Sequence, residues 1–209
     1  MRIFSVTPIH VGPQELSRRQ QRYDALLPSG LTLDLVDIGP QAPRSLDTGA
    51  DVRASEAAVV AALRAAPQGY DVLMPDCVLD PGVAELAPEL PVVGILQLSL
   101  GWQVVRGRRV GLVARNEAIA DELLARAKAY DWAEHVAGVR VLGLAVEAIS
   151  DQEQWTAGLR QAVDGFGDQV ATVINGCSAV EVTGHGARRT RVVDPTALAL
   201  RLLAAEGPQ

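Results

Sequence analysis

Two cysteines are the residues of this sequence best suited to acid–base chemistry. Cys77 and Cys177 are about half the chain length apart, and each comes just after a short apolar run typical of a buried strand. A thiolate can remove a proton from carbon, and a thiol can return one. Two thiols across a cleft would therefore serve both faces of one carbon. We predict that Cys77 and Cys177 form a catalytic acid–base pair.

Other roles for these cysteines are less consistent with the sequence. Free cysteine often serves as a small core residue, and that role stays open for each cysteine taken alone. Two cysteines are too few for a disulfide framework or a Cys-only metal site. The three histidines, His10, His135 and His185, show no metal-ligand spacing. We therefore predict no metal and no cofactor.

The surrounding pattern indicates parallel sheets covered by helices, because β-like runs alternate with amphipathic helical runs. Strands are predicted at 2–6, 31–37, 71–74, 91–95, 109–113, 139–144 and 170–174. Helices are predicted around 16–27, 52–63, 97–106, 117–130 and 151–163, and from Asp80-Pro81 and Asp194-Pro195 onward. Each half runs strand, helix, strand, helix, strand and then reaches a cysteine, so we predict an α/β fold of two similar lobes.

Both cysteines fall where ligands bind in α/β proteins, beyond the C-terminal ends of strands. We expect a helix to begin soon after each of them. Free N–H groups and the positive end of a helix dipole would then favour a thiolate and an anionic intermediate.

Five segments resemble the motifs of one family. Tyr-Asp-Val-Leu-Met-Pro-Asp-Cys-Val-Leu-Asp-Pro-Gly at 70–82 looks like the first cysteine motif of hydantoin racemases, and Ile-Asn-Gly-Cys-Ser at 174–178 looks like the second. Leu-Pro-Val-Val-Gly-Ile at 90–95, Gly-Pro at 39–40 and Arg-Val-Val-Asp-Pro at 191–195 are similar to other landmarks. The chain thus resembles hydantoin racemases of the aspartate/glutamate racemase superfamily from about residue 2 to 203.

This resemblance implies two lobes, each a mainly parallel sheet flanked by helices, with a cleft between them. Lobe 1 would comprise residues 1–96 and the C-terminal helix 195–209, and lobe 2 residues 97–194. It also implies a cofactor-independent racemase or epimerase that acts at a carbon next to a carbonyl, with Cys77 and Cys177 as opposing acid and base. A homo-oligomer and a small-molecule substrate are expected.

The sequence departs from the family where amino-acid racemases hold a carboxylate. Val78-Leu79 stand in place of Asn-Thr, and Ser178-Ala179 in place of Thr-His. A less polar, hydantoin-like substrate is therefore expected. Asp76 is unusual before the first cysteine, and it either raises the thiol pKa or points away. The predicted substrate-binding residues are Thr7, His10, Val78, Leu79, Arg115, Asn116, Ser178 and Ala179.

Two other functions stay open at this point. A decarboxylase or a cis-trans isomerase of the same superfamily would use the same scaffold, and a non-catalytic binding protein would retain only the pocket. The net charge of −6 argues against nucleic acid. No apolar stretch is long enough for a membrane helix, and the N-terminus lacks a signal-peptide pattern, so a cytoplasmic protein is expected. His185 is expected to lie in a turn.

Overall fold

The computed structural model describes residues 1–182 and 190–206, which form seven strands, seven α-helices and three short 3-10 helices. The strands are β1 Arg2–Val6, β2 Thr32–Val36, β3 Val72–Leu73, β4 Val110–Ala114, β5 Val136–Val141, β6 Thr172–Asn175 and β7 Arg191–Val193. The α-helices are α1 Pro13–Leu26, α2 Gly49–Arg64, α3 Val83–Leu86, α4 Ile95–Val104, α5 Glu117–Ala129, α6 Gln152–Phe166 and α7 Pro195–Ala205. The 3-10 helices are Ala133–His135, Val146–Ser150 and Gly167–Gln169.

The strands form two parallel sheets. The first has the order β2-β1-β3, and the second has the order β5-β4-β6-β7. In the first sheet Phe4 pairs with Leu73, and in the second Leu112 pairs with Ile174. The predicted α/β fold with two mainly parallel, helix-flanked sheets is confirmed. The residue boundaries of the two lobes stay a prediction.

The sequence explains the central strands and the helix starts. All five residues of β4 are buried, as expected for a strand between two neighbours in a sheet covered by helices. Four helices begin at a side-chain cap, in which an oxygen of the residue before the helix accepts a main-chain N–H. These capping residues are Thr48, Asn116, Asp151 and Asp194.

One continuous apolar core joins the two sheets. It contains Ile3 of the first sheet, Leu112 of the second, and Leu100 of α4, all three fully buried. Leu200 of α7 belongs to the same core. Within the described residues, no helix is both long and apolar enough to span a membrane.

Two local predictions after the first cysteine are wrong. No helix starts at Asp80-Pro81: α3 begins only after Gly82, and Asp80 instead accepts N–H groups at the start of α4, from Leu96 at 2.9 Å and Gln97 at 2.7 Å. The predicted strand 91–95 is reduced to a single parallel bridge at Val92. A carboxylate can cap a helix that is distant in sequence, so a local motif does not identify its partner.

Candidate active site

The two cysteines line one cavity. Cys77 follows β3 and Cys177 follows β6, so each lies just beyond the C-terminal end of a strand of its sheet. Both are free thiols; Cys77 is buried, whereas Cys177 is partly exposed. The cavity measures about 60 Å³, which is room for about four or five water molecules. A small, compact ligand fits this space.

Hydrogen bonds fix the loops that carry the cysteines. The Ser178 hydroxyl donates to the carbonyl oxygen of Asp76 at 2.9 Å, which joins the two loops directly. The Asn175 side-chain amide donates to the carbonyl of Cys177 at 3.0 Å and accepts the indole N–H of Trp155 at 3.1 Å. The second cysteine is therefore held from both sides.

The two thiols share one local geometry. The main-chain N–H of Leu79 bonds to the sulfur of Cys77, and that of Ala179 bonds to the sulfur of Cys177. In both halves the donor comes two residues after the cysteine. Among the described residues, no helix begins directly after either cysteine: the single turn α3 begins only at Val83, and residues 178–182 are irregular. Individual N–H groups, rather than helix dipoles, are therefore the nearby groups that lower the pKa of each thiol.

The electrostatic surroundings of the two thiols differ. Burial raises the pKa of Cys77 far above its usual value, and the negative charges of Asp76 and Asp80 raise it further, against the Leu79 N–H. Burial also raises the pKa of Cys177, but the positive charges of Arg19 and Arg22 lower it again. Cys177, which is also the more exposed thiol, is therefore the easier one to ionise.

A buried charge cluster on α1 lies behind the cysteines. Arg19 donates through Nε to Glu15 at 2.8 Å and through Nη1 to Asp76 at 2.9 Å. The Tyr23 hydroxyl donates to the other oxygen of Asp76 at 2.8 Å. Burial would raise the pKa of Glu15, but hydrogen bonds and charges of Arg18 and Arg19 outweigh it and lower that pKa to about 2.

Sequence reasoning missed Arg19, Tyr23 and Glu15. The available signal was their spacing of four residues along α1, which places them on one helix face. Asp76, which the sequence marks as unusual before the first cysteine, lines the cavity together with Arg19.

Five of the eight predicted substrate-binding residues line the cavity: Val78, Leu79, Arg115, Ser178 and Ala179. Arg115 is also bound to the surrounding chain, through Nη1 to the carbonyl of Leu144 at 3.1 Å and through Nη2 to Asp47 at 2.7 Å. It therefore closes one wall of the cavity.

The other three residues do not line the cavity. Thr7 is fully buried and its hydroxyl donates to Asp37 at 3.3 Å. His10 pairs through Nδ1 with the same carboxylate at 2.7 Å. Asn116 caps α5 by accepting the Ile119 N–H at 2.9 Å. His185 lies outside the described residues.

The rest of the wall is largely apolar and was not predicted. It consists of Pro8, Ile9, Leu46, Ile119, Val146, Ile149 and Gly176. Within residues 1–182 and 190–206, no group of three or more His, Cys, Asp and Glu side chains is placed to hold a metal ion.

These features define a class of α/β protein in which two parallel sheets each deliver a free cysteine to one small cavity. The sequence model of the Asp/Glu/Hydantoin racemase family matches residues 18–203. The chain belongs to this family and is an isomerase of the racemase type. No curated protein matched the chain in a sequence comparison.

Solved structures share the fold across nearly the whole chain. An allantoin racemase from Klebsiella pneumoniae is similar at a TM-score of 0.79 and 19% identity, covering 98% of this chain and 86% of the other. The allantoin racemase from Pseudomonas fluorescens is similar at a TM-score of 0.80 and 19% identity, covering 98% of this chain and 90% of the other. The Gly74Cys mutant of arylmalonate decarboxylase is similar at a TM-score of 0.63 and 19% identity, covering 100% of this chain and 95% of the other. At these identities the likeness establishes the fold.

Proposed function

We propose that this protein racemises or epimerises a carbon next to a carbonyl group, with Cys77 and Cys177 as the acid–base pair. The observation that carries the proposal is the meeting of two free thiols, each after a strand end of its own sheet, at one cavity. Burial raises the pKa of each thiol, and in each half a main-chain N–H two residues after the cysteine lowers that pKa in part. A reaction that uses both thiols in turn needs such support for each thiolate.

The more positive surroundings of Cys177 favour it as the resting base. The Cys177 thiolate removes a proton from the substrate carbon, and the electrons of the C–H bond move to form an enolate with its charge on the carbonyl oxygen. The Cys77 thiol then gives its proton to the opposite face of the carbon. Cys77 leaves the reaction as a thiolate and Cys177 as a thiol, and proton exchange with water restores the resting state.

The cavity favours a small uncharged substrate. Aliphatic side chains form most of its wall, and Val78-Leu79 and Ser178-Ala179 bring no charge. The N–H groups of Val78 and Ser178 have no acceptor among the described residues, so they are available to substrate oxygens. A hydantoin-like ring meets these requirements. Allantoin, named for two structural neighbours, is the first candidate.

Two predicted binding residues act indirectly in this proposal. Asp37 accepts from Thr7, from the His10 ring and from the Val11 N–H at 2.8 Å. These bonds hold the segment whose neighbouring residues, Pro8 and Ile9, line the cavity. Thr7 and His10 therefore shape the wall without touching the substrate.

The test is incubation in heavy water with allantoin, another 5-substituted hydantoin, glutamate, aspartate, an arylmalonate and maleate. Mass spectrometry reports deuterium at carbon, and chiral chromatography reports inversion. The proposal predicts inversion with deuterium incorporation for a hydantoin. Carbon dioxide release from the arylmalonate or isomerisation of maleate, without inversion of any hydantoin or amino acid, would instead establish a decarboxylase or a cis-trans isomerase.

A further inference from the structure

Arg19 is a buried cation at the cavity, and one of its terminal nitrogens has no acceptor among the described residues. Its side chain is only 4% exposed, and it lines the cavity together with both cysteines. Nε is bound to Glu15 and Nη1 to Asp76. No acceptor for Nη2 lies within residues 1–182 and 190–206. A guanidinium fixed at two corners can offer its third nitrogen in a defined direction.

Arg115, the second arginine at the cavity, is differently engaged. Both of its terminal nitrogens are bound to the protein, Nη1 to the Leu144 carbonyl and Nη2 to the Leu46 carbonyl and Asp47. The terminal nitrogens of Arg115 therefore serve mainly to hold surrounding segments of the protein in place. Between the two arginines, only Arg19 has a terminal nitrogen, Nη2, without an acceptor among the described residues.

The charges around the cavity indicate whether Arg19 would bind a carboxylate or a carbonyl oxygen of a ligand. The fixed charges at the wall are the two arginines and Asp76, and a thiolate at Cys177 would balance them. A substrate carboxylate would add a further negative charge beside Asp76 and the thiolate. A carbonyl oxygen brings no charge on binding and becomes negative only as the adjacent carbon loses its proton.

We infer that Arg19 donates from Nη2 to the carbonyl oxygen next to the reacting carbon and stabilises the negative charge that develops there. This inference rests on the proposed proton transfer and adds a third catalytic residue to it. Glu15 and Asp76 are positioning residues, because they hold the guanidinium in place. A preorganised donor in a site closed to water stabilises an enolate far more than the uncharged ground state.

The test compares Arg19→Lys with Arg126→Lys. Arg126 of α5 is also largely buried and paired with carboxylates, those of Glu56 and Glu122, but it does not line the cavity. Lysine keeps the charge beside Asp76 and loses the directed Nη2 donor. We expect Arg19→Lys to lower kcat for allantoin by about 100-fold or more, with a smaller rise in KM, because the same hydrogen bond is weaker before the carbonyl oxygen becomes negative. Arg126→Lys should retain most of its activity.

A second variant removes the charge of Arg19 without leaving the buried carboxylate of Asp76 unpaired. In Arg19→Met/Asp76→Asn both charges are lost together, so that no buried carboxylate lacks its partner. Its kcat should fall like that of Arg19→Lys, while its melting temperature stays close to that of the wild type. If either well-folded Arg19 variant has the kcat of the wild type, the inference is overturned.

A binding measurement separates this inference from the proposed reaction. Iodoacetamide labelling of Cys177 is followed with and without allantoin. Should the wild type racemise no compound, the proposed function fails. Protection of Cys177 by allantoin in the wild type that needs a higher allantoin concentration in Arg19→Lys, but not in Arg126→Lys, would still support Arg19 as the carbonyl-binding residue. No protection in the wild type, or the same concentration dependence in all three proteins, contradicts it.

Discussion

The hydroxyl of Ser178 donates a 2.9 Å hydrogen bond to the carbonyl oxygen of Asp76. The residue after the second cysteine is thereby bound to the residue before the first. The bond is buried and joins the loop after β3 to the loop after β6, so it helps to hold the two cysteine loops together.

Ser178→Ala removes this link and leaves the Asp76 carbonyl without its side-chain donor. We expect the free energy of unfolding to fall by about 1–3 kcal/mol and kcat to fall by up to about 100-fold, because small displacements of reacting groups are costly. Urea unfolding measures the free energy of unfolding, and racemisation rates measure kcat. Ser17→Ala, at an exposed position on α1, is the control. A fully active Ser178→Ala variant would show that the link is dispensable.

Gly176 allows the second cysteine loop to pass close to β4. A Cβ atom at this position would overlap the carbonyl oxygen of Val113, which is backbone and cannot move aside freely. Gly176→Ala should therefore displace Cys177, lower the unfolding free energy by about 1–3 kcal/mol and abolish most racemisation. At Gly12 an added Cβ meets nothing within 4 Å, so Gly12→Ala should differ little from the wild type. Equal behaviour of the two variants contradicts this explanation.

The different burial and neighbouring charges of the two thiols predict that an alkylating reagent modifies them at different rates. Cys177 is partly exposed and has Arg19 and Arg22 nearby, whereas Cys77 is buried beside Asp76 and Asp80. Iodoacetamide should therefore modify Cys177 first at neutral pH, as read by peptide mass spectrometry. Cys177→Ser should reduce labelling to the slow rate of Cys77. Faster modification of Cys77 would reverse the resting roles proposed for the two cysteines.

The buried carboxyl of Asp80 predicts a pH dependence of stability. Burial raises its pKa to about 6 from the usual 3.8, despite the N–H groups of Leu96 and Gln97 and the Tyr130 hydroxyl. The folded state then holds an additional proton between those values, so the free energy of unfolding should fall as the pH rises through about 6. The expected change is about 3 kcal/mol.

Asp80→Asn tests that dependence because asparagine cannot ionise and tolerates the positive φ of 49° at this position. Urea unfolding of this variant between pH 4.5 and pH 7 should show a flatter profile than that of the wild type. Asp51→Asn is the control, because the pKa of Asp51 is lowered from 3.8 and so lies below this range. An identical slope in all three proteins would contradict the assignment to Asp80.

Local patterns predicted much of the fold. The strand predicted at 2–6 matches β1, and the helix predicted at 151–163 matches α6, which begins after its cap at Asp151. These features depend on residues close in sequence. The Asp80 prediction failed because its capping partners, Leu96 and Gln97, are 16 and 17 positions away. Sequence pattern alone does not show which distant helix start a carboxylate reaches.

The candidate site could be predicted only in part for a similar reason. Cys77 and Cys177 could be placed together because each follows a strand end, where α/β proteins bind ligands, and because the family resemblance implies a cleft between two lobes. Arg19 could not, since arginine is rarely buried without a partner, and its partner Asp76 is 57 positions away. Thr7 and His10 stand beside the cavity-lining Pro8 and Ile9, but their side chains bond to Asp37.

In the proposed mechanism, two different cysteines act on opposite faces of one carbon. This mechanism is tested by the early time course of one allantoin enantiomer in heavy water, with deuterium measured separately in the inverted product and the recovered substrate. Two bases on opposite faces should give deuterium in the inverted product while the recovered substrate still carries hydrogen, and neither Cys77→Ala nor Cys177→Ala should invert the substrate. Equal deuterium in both enantiomers from the start, or full racemisation by either variant, would rule this mechanism out.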